Sequence, residues 1–249
     1  MTAFVRTTIE AGVAVVALDR PDVRNALTPD MLEAVREAPS VAERDGARCV
    51  LLRGAGPAFC AGFDLTLCQD DDNAVGVLLT GLSHAIAALR DGPLPVVLCA
   101  HGAAIAGGAA LLGGADIVVA DASAKIGYPV LRLGISPAVS APFLRLGVGD
   151  GACRTRLIDT KIHDAVAAER IGLVHELTPN AEAAQAKATE IARSLASKPP
   201  SAIAATKRWL NELDQAAGDV RARALEASLS LPGGAEERER LIAMWNAGR

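Results

Sequence analysis

Four short apolar runs alternate with longer amphipathic stretches in the first half of this 249-residue chain. The runs, each bounded by Gly, Pro or a charged residue, are Gly12–Asp19, Arg48–Arg53, Pro95–Ala100 and Asp116–Ala120. Apolar runs of this length are typical of strands buried on both faces of a sheet. Because strands that alternate with helices are covered by those helices, the pattern predicts an α/β fold. A hydrophobic content of 51% supplies the core that such a fold needs.

Two of the intervening stretches carry helix signals. Thr28 followed by Pro29 is typical of a helix start, with Thr as the N-cap and Pro in the first turn. From about Ala74 to Leu89 the apolar residues recur at helical spacing and predict one buried face. The residues of this face are Val75, Leu78, Leu79, Leu82, Ile86 and Leu89.

The strand-like apolar runs end before Pro179, and only helical patterns follow it. Residues 180–249 read as helices only, so we divide the chain into an α/β core over 1–179, which binds the ligand, and a helical region over 180–249. No strand remains in this region for its helices to cover, which predicts that they contact another subunit. The apolar positions expected at that contact are Ile191, Leu195, Ile203, Leu210 and Leu213.

Charge and composition exclude several classes of function. A net charge of −4 gives no electrostatic footprint for nucleic acid or an anionic membrane surface. The start of the chain lacks a basic segment followed by an apolar block, which favours a cytoplasmic protein. The five cysteines are odd in number and no metal-ligand spacing occurs, so we expect reduced thiols and no metal.

Two glycine-rich turns each follow a predicted strand, at 54–64 and 101–110. Neither matches a nucleotide-binding motif. Gly107 and Gly108 would begin a helix, where free N–H groups favour negative charge. The N–H of Phe63 comes from the other turn, and two such groups on one oxygen would form an oxyanion hole for a thioester enolate. On the residues alone, the alternative that both are ordinary tight turns stays open.

Five segments, in order along nearly the whole chain, resemble one known family. They are Leu18–Leu27 (LDRPDVRNAL), Gly54–Leu65 (GAGPAFCAGFDL), Pro95–Asp116 (PVVLCAHGAAIAGGAALLGGAD), Ala124–Gly134 (AKIGYPVLRLG) and Asp164–Leu177 (DAVAAERIGLVHEL). On these segments the chain resembles the crotonase superfamily, the enoyl-CoA hydratase/isomerase family. The resemblance implies a crotonase-type stack of ββα units with a C-terminal helical oligomerisation region. It also implies homotrimers or dimers of trimers and acyl-CoA ligands, with coenzyme A part of the substrate and no separate cofactor.

Carried over by motif, the resemblance implies that the N–H groups of Phe63 and Gly107 bind the thioester oxygen. The residues that it places at the substrate-binding surface are Arg24, Ala26, Ala61, Gly62, Asp64, Gly108 and Val130. For Arg24 a solvated surface charge is an equal alternative. For Asp64 we favour a helix N-cap.

The chain departs from this family at the positions that usually carry acids. Hydratases of the family have one glutamate where this chain has Ala110 and a second where it has Val130, and the family usually has Asn in place of His101. Alanine and valine transfer no protons, which argues against a two-glutamate hydratase. Two side chains are candidate replacements, His84 and Tyr128, with solvent exposure and a half-buried aromatic ring as their ordinary alternatives. The acids Asp70–Asp72 are a further candidate, or a solvated turn.

Two functions therefore stay open. The first is an enzyme that stabilises the enolate of an acyl-CoA in isomerisation, hydration, decarboxylation or thioester cleavage. The second is a relative that binds acyl-CoA without chemistry. The glycine-rich turns suit both, whereas Ala110 and Val130 favour the second.

Overall fold

The computed structural model describes residues 4–69, 71–214 and 217–247. The strands are β1 Val5–Glu10, β2 Val13–Leu18, β3 Cys49–Gly54, β4 Val96–Cys99, β5 Ala103–Ile105, β6 Ile117–Asp121, β7 Lys125–Gly127, β8 His163–Asp164 and β9 Glu176–Thr178. The helices are α1 Pro29–Arg44, α2 Ala74–Asp91, α3 Gly107–Leu111, α4 Ala141–Ile158, α5 Ala165–Glu169, α6 Ala181–Ala196, α7 Pro200–Leu213, α8 Ala217–Leu229 and α9 Ala235–Ala247. Short 3-10 helices lie between them.

A six-stranded sheet in the order β1-β2-β3-β4-β6-β9 forms the centre of the molecule. Only β1 is antiparallel to its neighbour, and the other pairs are parallel. The four apolar runs are its inner strands β2, β3, β4 and β6, as predicted. The edge strand β1 had no apolar signal because every residue after Val5 is exposed. A second sheet, β5-β7-β8, is built from strands of two or three residues.

Alternate residues of the inner strands pack on opposite faces of the main sheet. Val16, Val50 and Leu98 join the larger core, which also holds α1 and α2. Residues of the other face, such as Leu51 and Val97, pack against α6. The sheet is thus covered by helices on both sides, which confirms the predicted α/β class.

The prediction that no strand remains for the C-terminal helices to cover is wrong for α6. Its small residues, Ala184, Ala188, Ala192 and Ala196, are buried against the six-stranded sheet, and Ile191 and Leu195 pack beside them. An alanine stripe lets a helix approach a sheet closely, but its weak hydrophobic signal hides that contact in the sequence. The division at residue 180 therefore separates α6 from the sheet that it covers.

Both predicted helix signals are confirmed. The Met31 N–H donates to Thr28 Oγ1 over 3.3 Å at the start of α1, and all six residues of the α2 stripe are at most 2% exposed. Of the described helices, α2 alone is long and apolar enough to cross a membrane. Its apolar stripe packs against α1 and the rest of the core, so α2 acts here as a core helix.

Helix α7 is fixed to the core by a buried lysine. Lys207 Nζ donates to the Leu89 and Leu94 carbonyls, at 3.0 and 2.8 Å, and pairs with Asp116 at 2.8 Å. Because these bonds satisfy all three ammonium hydrogens, the charge is tolerated in a buried position. Three large apolar side chains of α7 remain exposed, namely Trp209, Leu210 and Leu213.

Candidate active site

The two glycine-rich turns are hydrogen-bonded to each other. The Cys60 N–H donates to the Ala103 carbonyl, and the Ile105 N–H donates back to the Cys60 carbonyl, each over 3.0 Å. A Cβ atom on Gly108 would lie 2.7 Å from the Cys60 oxygen. No side chain fits at that distance, so the glycine allows the two backbones to approach.

Phe63 and Gly107 lie side by side at this contact. Gly62, at φ +103°, turns the chain into Phe63 with a backbone that L-residues rarely adopt. A Cβ atom on Gly62 would lie 3.9 Å from the Gly107 nitrogen, and one on Gly107 would lie 3.0 Å from Cε1 of the Phe63 ring. Within the described part of the chain, neither the Phe63 N–H nor the Gly107 N–H has a backbone acceptor. Two free donors therefore belong to adjoining turns.

Ala106 holds the second turn in a strained conformation. Its φ of 52° and ψ of −113° are costly for a residue with a Cβ atom, by about 1–3 kcal/mol. The Ala106 N–H is fixed by the Gly127 carbonyl at 2.8 Å, and its own carbonyl accepts from Ala110 at 2.9 Å. These bonds aim the first N–H groups of α3 away from the helix, and strain of this kind is concentrated at functional sites.

Asn25, which sequence reasoning did not single out, stabilises the first turn through side-chain hydrogen bonds. It is fully buried, and its Nδ2 donates to the Ala55 and Ala58 carbonyls at 2.9 Å and to the Phe59 carbonyl at 3.1 Å. Its Oδ1 accepts the Arg20 N–H at 2.8 Å. The side chain thus provides hydrogen bonds for loop carbonyl groups that are not paired with a neighbouring strand.

Arg20, which sequence reasoning also missed, links the loop before α1 to the first turn. Its Nη1 donates to the Ala26 carbonyl at 2.7 Å and pairs with Asp64 Oδ2 at 3.0 Å, and its guanidinium lies 4.8 Å from the centre of the Phe4 ring. Asp64 Oδ1 accepts from the Thr66 N–H and hydroxyl. Asp64 therefore caps the start of the 3-10 helix Leu65–Gln69 and positions the residue before it, Phe63, in agreement with the N-cap interpretation.

The Asp64 carboxylate is expected to make stability depend on pH. Burial favours its neutral form, but hydrogen bonds from Thr66 and Arg20 outweigh that effect and lower the pKa of Asp64. A folded-state pKa below the unfolded value stabilises the fold above the unfolded pKa, and this stability is lost as the pH falls through the folded pKa. We expect Asp64→Asn to lose about 1–2 kcal/mol at neutral pH and less than half of that near pH 2.5.

Urea denaturation at both pH values measures this difference. The matched control is Asp22→Asn, which removes an exposed acid on the loop between β2 and α1 and is expected to change stability by less than about 0.5 kcal/mol. A loss of equal size at both pH values would mean that the Asp64 carboxylate contributes no ionic stabilisation.

Comparison with known proteins identifies the family to which this chain belongs. The sequence model of the enoyl-CoA hydratase/isomerase family matches residues 8–238. A protein of Thermus thermophilus named as a putative enoyl-CoA hydratase is 32% identical, with 96% of this chain and 90% of the relative aligned. The chain belongs to the enoyl-CoA hydratase/isomerase family.

Further relatives agree with this assignment. The 1,2-epoxyphenylacetyl-CoA isomerase of Escherichia coli is 30% identical over 86% of this chain and 84% of its own length. The crystal structure of an enoyl-CoA hydratase/isomerase from Xanthobacter autotrophicus Py2 superposes with a TM-score of 0.90 at 27% identity, covering 100% of this chain and 95% of that one. The crotonase-type fold predicted from the sequence is therefore confirmed.

Ala110 and Val130, the two positions at which the resemblance leads us to expect acids, have apolar surroundings. Ala110 lies in α3 and is 2% exposed. Val130 lies in the 3-10 helix Pro129–Leu133 and packs against the core. Neither α3 nor that 3-10 helix contains an Asp or Glu that could supply a carboxylate instead.

Tyr128 is not the half-buried aromatic ring that was the ordinary alternative for this position. The ring is 3% exposed, and its hydroxyl donates to the Ala109 carbonyl at 2.9 Å. Burial, reinforced slightly by the Cys153 thiol, raises the pKa of Tyr128. Its proton is thus held by the backbone of α3 and is harder to lose than that of a free phenol.

His84 is exposed on α2, in a shallow groove shared with Glu33 of α1. None of the residues that line this groove belongs to the two turns, so the structure does not bring His84 to Phe63 and Gly107. Of the acidic run, Asp70 lies outside the described residues and Asp72 pairs with Arg238.

Two further residues, Arg24 and His101, lie beside the turns. Arg24 is exposed, and its carbonyl accepts the Ala61 N–H at 2.9 Å, which places it beside the first turn. His101 is buried with Nε2 at 3.0 Å from the Gly56 carbonyl, a bond that a ring N–H donates. No group of three or more His, Cys, Asp or Glu side chains in the described ranges could hold a metal ion.

Proposed function

We propose that the protein binds an acyl-CoA thioester with its carbonyl oxygen between the N–H groups of Phe63 and Gly107. The observation that carries this proposal is that the two donors lie in adjoining turns, without acceptors among the described residues. Fixed donors stabilise the negative charge that develops on the oxygen when the thioester becomes an enolate. The position of Gly107 at the N-terminus of α3 adds the favourable end of the helix dipole.

The same proposal assigns the rest of the substrate-binding surface. Its members are Arg24, Ala26, Ala61, Gly62, Asp64, Gly108 and Val130. The exposed guanidinium of Arg24 is suited to the phosphates of coenzyme A, which arrives as part of the substrate, so no separate cofactor is proposed. Asp64 acts by positioning, since both of its oxygens are hydrogen-bonded to the protein.

The reaction that we propose is enolate stabilisation within the hydratase and isomerase range of the family, as a lyase or an isomerase. A second candidate is binding without turnover, favoured by the apolar side chains of Ala110 and Val130. A panel of enoyl-, 3-enoyl-, malonyl- and 3-hydroxyacyl-CoAs, assayed in parallel for binding and turnover, separates the two. Turnover of any member supports the enzyme, whereas binding of several without turnover supports the binding protein. Absence of binding contradicts both.

We also propose a homotrimer or a dimer of trimers in the cytoplasm, without nucleic acid or membrane as partner. The exposed apolar side chains of Trp209, Leu210 and Leu213 on α7, between 54% and 60% exposed, form a surface that another subunit would cover. Light scattering is expected to give a mass three or six times that of the chain. A monomer at micromolar concentration would contradict this proposal.

A further inference from the structure

The Gly107 N–H stands at the end of a short series of hydrogen bonds that begins at the Tyr128 hydroxyl. The hydroxyl donates to the Ala109 carbonyl at 2.9 Å. The N–H of the same peptide group, which belongs to Ala110, donates to the Ala106 carbonyl at 2.9 Å. The Ala106 carbonyl in turn shares its peptide group with the Gly107 N–H. Two peptide groups therefore connect Tyr128 to one of the donors proposed for the thioester oxygen.

The Phe63 N–H ends a series of the same length, which begins at the Arg20 guanidinium. Arg20 Nη1 donates to the Ala26 carbonyl at 2.7 Å. The N–H of that peptide group belongs to Leu27 and donates to the Gly62 carbonyl, also at 2.7 Å. The Gly62 carbonyl shares its peptide group with the Phe63 N–H. Each proposed donor is thus joined to a side-chain donor by two peptide groups, an arrangement that we call a relay.

A relay of this kind strengthens its last donor. A hydrogen bond to the carbonyl oxygen of a peptide group draws electrons from the nitrogen, so that the N–H of the same group donates more strongly. In series, such bonds strengthen one another by about 10–30% per bond. Every bond of both relays donates in the same direction, so the effects of successive bonds add at the Gly107 and Phe63 N–H groups.

The two side chains at the start of the relays are shielded from water. Tyr128 is 3% exposed, and the side chain of Arg20 is 17% exposed. Hydrogen bonds in such surroundings are stronger than in water, because the local dielectric constant is low. The Arg20 relay begins with a positive charge, and charge-assisted hydrogen bonds are about twice as strong as neutral ones. We therefore expect it to have the larger effect.

We propose that Tyr128 and Arg20 are positioning residues that polarise the Gly107 and Phe63 N–H groups through these two relays. The inference rests on the proposed binding of the thioester oxygen by those N–H groups. Both side chains act through the backbone, and neither transfers a proton to the substrate. Tyr128 thereby supports the developing negative charge while its own proton stays bonded to the Ala109 carbonyl.

Fluorinated tyrosine tests the first relay without removing it. Tyr128 is the only tyrosine of the chain, so growth on 3-fluorotyrosine or 3,5-difluorotyrosine changes this position alone. Fluorine makes the phenol a stronger donor, and burial raises the pKa of Tyr128, which keeps the proton in place. The readout is the infrared C=O stretch of bound butyryl-CoA labelled with ¹³C at its carbonyl carbon. We expect its shift to lower wavenumber to grow with the number of fluorine atoms.

Tyr128→Phe removes the hydroxyl and keeps the ring. The Ala109 carbonyl still accepts the Leu112 N–H, so it is not left without a donor and the variant should fold. We expect the carbonyl shift to be smaller by about a tenth to a third. Turnover, where there is any, should fall about two- to fivefold. The matched control is Thr178→Val, which removes a hydroxyl that donates to the Ala120 carbonyl, outside both relays, and should leave the shift unchanged.

The second relay is tested against Asp64→Asn, which keeps the Arg20 bond to the Ala26 carbonyl. Arg20→Met combined with Asp64→Asn removes that bond and leaves no carboxylate without its cation. Relative to Asp64→Asn alone, we expect the double variant to lose more of the carbonyl shift than Tyr128→Phe loses. Far-UV circular dichroism establishes that each variant is folded. A double variant that keeps the shift of Asp64→Asn would overturn the role of Arg20.

Equal carbonyl shifts in the unmodified, fluorinated and Tyr128→Phe proteins would overturn the role of Tyr128. So would a loss in Tyr128→Phe without an increase in the fluorinated proteins, because that combination indicates altered packing rather than polarisation. In both cases the proposed function would stand, since the unmodified protein still shifts the carbonyl band. If butyryl-CoA does not bind to the unmodified protein, or binds without a shift, the proposed function fails, and the inference fails with it.

Discussion

Replacing Gly107 with proline is expected to reduce turnover, or binding where there is no turnover, by a factor of about 10²–10³. Proline has no N–H, so the substitution removes one of the two donors proposed for the thioester oxygen. It also opposes the ψ of −113° at Ala106, because a residue before proline prefers ψ between about +120° and +160°. Calorimetric titration with an acyl-CoA and the turnover of the best substrate measure the effect.

Gly107→Ala is the matched control for the steric part of this change. Alanine keeps the N–H but brings a Cβ atom to 3.0 Å from the Phe63 ring. We expect a loss that is at least tenfold smaller than that of the proline variant. Far-UV circular dichroism establishes that both variants are folded. A folded Gly107→Pro protein that handles acyl-CoA as the unmodified protein does would show that the thioester is held elsewhere.

Hydration of crotonyl-CoA is expected to be very slow or absent. The two N–H groups proposed for the thioester oxygen would polarise the thioester, but the addition of water also needs a base to activate the water and an acid to protonate the carbon. Ala110 and Val130 supply neither, and the only tyrosine has its proton bonded to the Ala109 carbonyl. General acid–base help is worth about 10²–10⁴-fold for each transfer, so the rate should fall far below the roughly 10 per second of ordinary enzymes.

A spectrophotometric assay of the unmodified protein on crotonyl-CoA measures this rate. A turnover of tens per second would contradict the prediction and would require a proton-transferring group beyond those named above. Ala110→Glu combined with Val130→Glu is expected to raise hydration above background. The same variant should lose stability, since Ala110 is 2% exposed and a carboxylate there would be desolvated.

The parts of the fold that depend on strong hydrophobic contrast were predictable from the sequence. The inner strands β2, β3, β4 and β6 are apolar on both faces, and the α2 stripe repeats at helical spacing. The two glycine-rich turns were recognisable because each follows such a strand. The resemblance to the family then joined the two turns, which are 44 residues apart between Phe63 and Gly107, into one site.

Features that depend on tertiary contact could not be predicted in this way. Alanines on α6 bury against the sheet with too little hydrophobic contrast to show which face packs. Asn25 and Arg20 look like ordinary loop residues until their hydrogen bonds across the chain are known.

The binding of the thioester oxygen by Phe63 and Gly107 is tested most directly by the infrared spectrum of a bound thioester labelled with ¹³C at its carbonyl carbon. Butyryl-CoA serves as the probe, and the isotope difference isolates its C=O stretch from the amide bands of the protein. Two N–H donors on the oxygen weaken the C=O bond, so we expect a shift to lower wavenumber on binding, which Gly107→Pro should reduce. A bound thioester whose carbonyl band stays at its position in water would contradict the proposed role of Phe63 and Gly107.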